Sequence, residues 1–102
     1  MKIEGLTLTP LSAQDELAFT RNMARVLARV LPDIGEMEAA AGLARNCVTV
    51  FCATRGQLPE VQTPEGLLYH LTLEEIAELA RRYAQNKGGW CQNESYGRGG
   101  QA

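Results

Sequence analysis

Apolar residues recur along the chain in three runs with helical spacing. Phe19, Met23, Val26, Leu27, Val30 and Leu31 fall three and four residues apart, which places all six within about 100° of arc on a helix. Met37, Ala40, Ala41, Ala44, Cys47, Val48 and Phe51 repeat the pattern, widened by Leu43 and Val50. The alanines allow close approach of a neighbour, so this second run is expected to be the most buried element. Leu73, Ile76, Ala77, Ala80 and Tyr83 form a third apolar face. Between Lys2 and Thr9 the pattern changes: Ile3, Leu6 and Leu8 alternate weakly with polar residues, which predicts a short extended arm or strand over residues 1–10, ending at Pro10. With no second strand in view, the arm either packs along the helices or pairs with the arm of another subunit.

Capping residues set the expected boundaries. Ser12 with Asp15 and Glu16 reads as a helix start with acids in the first turn, where they complement the positive end of the helix dipole. Pro32 restricts the residue before it, so the first helix is expected over 12–31. Asp33 with Glu36 repeats the cap, and Gly56 is placed to stop a second helix over 34–55. Thr63-Pro64-Glu65 opens a short helix over 64–70, with proline at its first position. Thr72 with Glu75 is a further capping box, predicting a last helix over 73–85 in which Glu78 pairs with Arg82 one turn on. From residue 88 the composition turns to glycines and amides, with Trp90 and Tyr96 as the large side chains, and a flexible tail over 88–102 is expected. The fold class that follows is all-α: one domain over 1–87, a small bundle of three main amphipathic helices plus one short helix, with the extended arm before it.

Length agrees with that picture. At 102 residues, 45% hydrophobic and 22% charged, the chain suits one domain with one modest core. A domain of this size buries about two-thirds of its unfolded surface, so self-association would add to its stability and a homo-oligomer stays open. The net charge of −2 argues against broad attraction to nucleic acid, which needs a basic face. No apolar core follows Met1-Lys2 as in a signal peptide, and no apolar run approaches the roughly 18 residues that span a bilayer, so a cytoplasmic protein away from membranes is expected.

Searching for chemistry narrows the function further. Three cysteines and one histidine form no metal-ligand spacing, and Cys47 and Cys52, about 140° apart on a helix, read as small buried apolar residues. His70 lies beside Tyr69 without a nucleophile elbow, Glu74, Glu75 and Glu78 read as a solvated helix face, and Gly97-Arg98-Gly99-Gly100 lacks the lysine and following helix of a phosphate loop. The expectation is no enzyme, no cofactor and no metal. Arg21, Arg25 and Arg29 recur every four residues opposite the first apolar stripe and form a basic ridge, either a solvated face or a docking surface for an acidic partner or another subunit. Leu71 to Ala80 is similar to the first helix of helix-turn-helix units, yet a recognition helix should begin about four residues after it ends, and the chain instead runs into Asn86-Lys87-Gly88-Gly89-Trp90.

The segment Thr63-Pro64-Glu65-Gly66-Leu67-Leu68, followed by Leu71-Thr72-Leu73-Glu74-Glu75-Ile76 and Tyr83, resembles the small tail assembly chaperones of long-tailed bacteriophages and prophages. The arm Leu6-Thr7-Leu8-Thr9-Pro10-Leu11 before a helical body fits the same family. The resemblance implies a helical protein in the host cytoplasm that binds the tape-measure protein, or another tail protein, before tube subunits polymerise. A tape-measure chain is long and amphipathic, and a helical binder would cover its apolar stripes. Leu68, Tyr69, Leu79 and Trp90, together with the arginine ridge, are the candidate contact residues. A small helical regulator or adaptor is the alternative, and a helix-turn-helix DNA binder the weaker one.

Overall fold

The computed structural model describes the backbone of residues 3–97 and the side chains of residues 3–87. It is all-helical, and no strand occurs among the described residues. The elements run α1 (Ala13–Ile34), α2 (Met37–Ala53), a 3-10 turn (Pro64–Gly66) leading into α3 (Leu67–His70), and α4 (Leu73–Gly97). No helix among the described residues is long and apolar enough to cross a membrane.

Local capping chemistry starts α1 where the sequence places it. The Asp15 N–H donates to Ser12 Oγ at 3.1 Å while the Ser12 N–H donates to Asp15 Oδ2 at 3.0 Å. The end differs from expectation. Pro32 lies inside α1, which continues to Ile34. Its ring holds φ near helical values, and so close to the C-terminus the lost N–H costs a single intrahelical bond. The stop is Gly35, in the left-handed conformation at φ 76°, whose N–H donates to the Leu31 carbonyl at 2.7 Å.

Asp33 therefore belongs to α1 and does not cap α2. That role falls to Glu36, whose carboxylate accepts from the N–H groups of Glu38 at 3.2 Å and Ala39 at 2.8 Å. At the other end α2 closes at Ala53, short of residue 55. Thr54 Oγ1 donates to the Val50 carbonyl at 2.7 Å, and Gly56, at φ 85°, serves the turn beyond the helix.

α2 is the centre of the fold, flanked by α1 and α4, with the 3-10 turn and α3 packed on it as well. It buries Ala40, Ala44, Cys47, Val48, Val50, Cys52 and Ala53, as its small residues led one to expect. Val26 from α1, Leu67 from α3 and Ile76 and Leu79 from α4 complete the fully buried set. Each large aliphatic side chain so buried stabilises by about 1.5–3 kcal/mol. Both described cysteines are buried and free, and burial pushes the Cys47 thiol up to about 11.

α4 begins with the predicted box, Thr72 Oγ1 accepting from the Glu75 N–H at 3.0 Å and Glu75 Oε1 from the Thr72 N–H at 2.9 Å. Its buried face is Ile76, Leu79 and Tyr83, not the set that included Leu73 and Ala77. Counting Leu79 rotates the centre of the face away from Leu73, which is 62% exposed. The helix also does not end near Gln85: its backbone runs on to Gly97. Gly88 and Gly89 each lower helix propensity by about 1 kcal/mol, but they do not forbid helical dihedrals, and no proline interrupts the run. Residues 98–102 of the expected tail lie outside the described residues.

The N-terminal arm packs on its own subunit. Ile3 and Leu8 are buried in the core, and the Thr9 N–H and Oγ1 both donate to the Ala53 carbonyl, at 3.0 and 3.2 Å, at the open end of α2. Gln57 takes both backbone groups of Thr7, accepting from its N–H at 2.8 Å and donating to its carbonyl at 2.7 Å.

Candidate protein-binding face

Two of the every-fourth-residue arginines of α1, Arg25 and Arg29, meet the 3-10 turn and α3, because the loop after α2 lays that segment along α1. Arg25 Nε donates to Glu65 Oε2 at 3.3 Å. Arg29 Nη2 donates to the Tyr69 hydroxyl at 2.8 Å, with its guanidinium carbon 5.6 Å from the ring centroid, and Nη1 lies 3.5 Å from Asp33. The hydroxyl, more than the Asp33 carboxylate, raises the Arg29 pKa above its ordinary value.

Of the sequence-predicted contact residues, the structure thus gathers Arg25, Arg29 and Tyr69 on one face. Tyr69 is 67% exposed although its ring is held by Arg29. Leu68 beside it is half-buried, and Arg21, two turns of α1 before Arg29, is exposed. The ridge is not a row of free cations: Arg25 holds the 3-10 turn and Arg29 holds α3. Leu79 is removed from the surface altogether, being fully buried against the core. The side chain of Trp90 lies outside the described residues.

Sequence reasoning missed other exposed apolar side chains, Leu17 at 82% and Met37 at 56%. Leu17 lies about 180° from Val26 on α1, so the helical spacing itself could have flagged it. Met37 carried no such signal, since it falls in line with the buried stripe of α2 and is exposed because it opens the helix.

On α4, Glu78 accepts from both Arg81 and Arg82. Arg81 Nη2 is 2.6 Å and Arg82 Nε 2.9 Å from Oε2, and Arg81 first, then Arg82, holds its carboxyl down at about 2. Among the described residues no three His, Cys, Asp or Glu side chains come together as a metal site, and no buried side-chain nitrogen or oxygen lacks a hydrogen-bond partner. His70 is half-buried on α3. α4 passes Asn86 and Lys87 without a turn, so among the described residues no second helix follows it at the spacing of a helix-turn-helix. The chain matches no family model, no curated protein and no solved structure.

Proposed function

We propose that this is a non-catalytic protein-binding protein that covers apolar helical segments of a partner, and that it acts as a tail assembly chaperone on a tape-measure protein. The observation that carries the binding reading is the exposed Tyr69 ring held by Arg29 beside Arg25 and Leu68. Tyrosine and arginine are among the side chains enriched where binding energy concentrates, and a ring already fixed by its own chain loses little freedom on contact. The chaperone assignment rests on the resemblance of Thr63 to Tyr83.

Co-expression tests it. Overlapping fragments of the tape-measure protein encoded beside this chain should gain soluble yield in its presence, and Tyr69→Ala should remove much of that gain. No gain across the full set of fragments, or a gene neighbourhood of metabolic enzymes with no tape-measure protein, would overturn the chaperone assignment.

A further inference from the structure

The apolar stripe of α1 is wider than the surface its own chain lays over it. Val26 and Val30 are 0% and 4% exposed, but Phe19, Met23, Leu27 and Leu31 stay only half-buried. Met23, Leu27 and Leu31 lie on the same edge of α1 as Glu16 and Thr20, about 180° around the helix from the Arg25 and Arg29 edge that holds the 3-10 turn and α3. On this far side of the layer α1 and α4 stand apart over α2. Beside Leu11 of the arm, the groove between them is lined by Glu16, Phe19 and Thr20 of α1, Arg45 and Thr49 of α2, and Tyr83 and Lys87 of α4.

Two further observations concern what fits there. Gly42 continues the Arg45 and Thr49 strip of α2 toward its N-terminus and is exposed, and a Cβ built on it meets nothing within 4 Å. Glycine in a helix interior lowers helix propensity, and no neighbour within the chain requires it at this position. It leaves the strip low enough for another helix to approach. The second observation is charge. Two cations, Arg45 and Lys87, face one acid, Glu16, in this lining, and neither makes an ion pair or side-chain hydrogen bond among the described residues, whereas the arginines on the α3 side are taken up by Glu65, Asp33 and Tyr69.

The geometry points to this groove as the seat of one acidic amphipathic helix from a partner protein, its apolar stripe on Phe19, Met23 and Leu27 and its carboxylates meeting Arg45 and Lys87. This rests on the protein-binding reading above and adds a second contact surface, on the side of α1 away from Tyr69, with the chemistry of what it takes. A second copy of the chain is a poor occupant. Of the acids at the start of α4, Glu75 caps Thr72 and Glu78 is held by Arg81 and Arg82, which leaves Glu74 alone to meet two cations.

The test uses two labelled designed peptides with the same leucine stripe, one flanked by glutamates and one by lysines, titrated into the full chain by fluorescence anisotropy. The glutamate peptide should bind at least tenfold more tightly than the lysine peptide. The double variant R45E/K87E should reverse that order. Gly42→Leu, which adds bulk at an open helical position, should abolish binding while leaving circular dichroism and the thermal midpoint intact or raised.

Equal binding of the two peptides, no binding of either, or indifference to these variants would overturn the groove. So would a dimer seen by sedimentation and lost in Gly42→Leu, since the occupant would then be a second copy. The two proposals fail separately. Tape-measure rescue that survives Gly42→Leu and R45E/K87E but not Tyr69→Ala would remove the groove and keep the chaperone, and peptide binding without any rescue would do the reverse.

Discussion

The Arg55 guanidinium, in the turn after α2, lies 2.6 Å from the carboxylate of Asp15 in the first turn of α1. Asp15 is almost fully buried and is also half of the Ser12 capping box, so one carboxylate both starts a helix and ties it to the far end of its neighbour. Burial works to raise its pKa, but the Ser12 N–H and Arg55 together outweigh that and leave it below the ordinary value.

A folded-state pKa below the unfolded one means that Asp15 contributes its full stability above the ordinary carboxylate value of about 4, and loses it as pH falls through the lower folded value. Asp15→Asn should therefore cost about 1–2 kcal/mol at pH 7. That lies between an exposed pair, worth up to about 1 kcal/mol, and the 3–5 kcal/mol lost when a fully buried pair is broken. Urea unfolding at pH 7 and pH 3 measures it, and the variant should show the smaller drop on acidification.

What could be read ahead of the structure was local. Ser12 with Asp15 and Thr72 with Glu75 sit three residues apart, so the sequence contains the whole interaction. Asp15 with Arg55, Thr7 with Gln57 and Arg29 with Tyr69 join distant segments, and nothing in the spacing of either partner marks them. Pro32 misled because its rule concerns the residue before it, while the actual stop is set by the left-handed Gly35. Leu73 and Leu79 exchange places between the sequence pattern and the structure, because a face judged from five residues can be misplaced by about 60°. The groove was invisible for a related reason: periodicity shows which side of α1 is apolar, not how much of that side the other helices reach.

Leu79→Ala and Leu73→Ala form a direct contrast on one helix. The first should destabilise by about 2–5 kcal/mol, as buried leucine truncations do. The second removes an exposed side chain and should stay within about 0.5 kcal/mol. Equilibrium denaturation of the two variants checks this, and similar losses would mean the register of α4 is wrong.

Two glycines should respond in opposite directions to alanine. Gly35→Ala forces a side chain into the left-handed region and should cost about 1 kcal/mol or more. Gly42→Ala occupies open space in a helix interior and should gain up to about 1 kcal/mol. Thermal unfolding midpoints would report both signs.

Cys47 and Cys52 should resist alkylation in the native chain. With the Cys47 pKa at about 11, roughly one thiol in a thousand is ionised at pH 8, and thiolate is the reacting form. Iodoacetamide followed by mass spectrometry should modify neither residue until urea is added. Rapid native labelling of either would show that the α2 core opens.

The arm has the alternating pattern of a strand without a sheet to join, which in many proteins leaves a row of backbone groups open to pairing with foreign chains. Here the primary amide of Gln57 stands in for the missing strand at Thr7, and the last carbonyl of α2 takes up Thr9. At both positions the template for edge-to-edge aggregation is closed by the chain itself, so a Gln57→Ala chain is where self-association through the arm should first emerge.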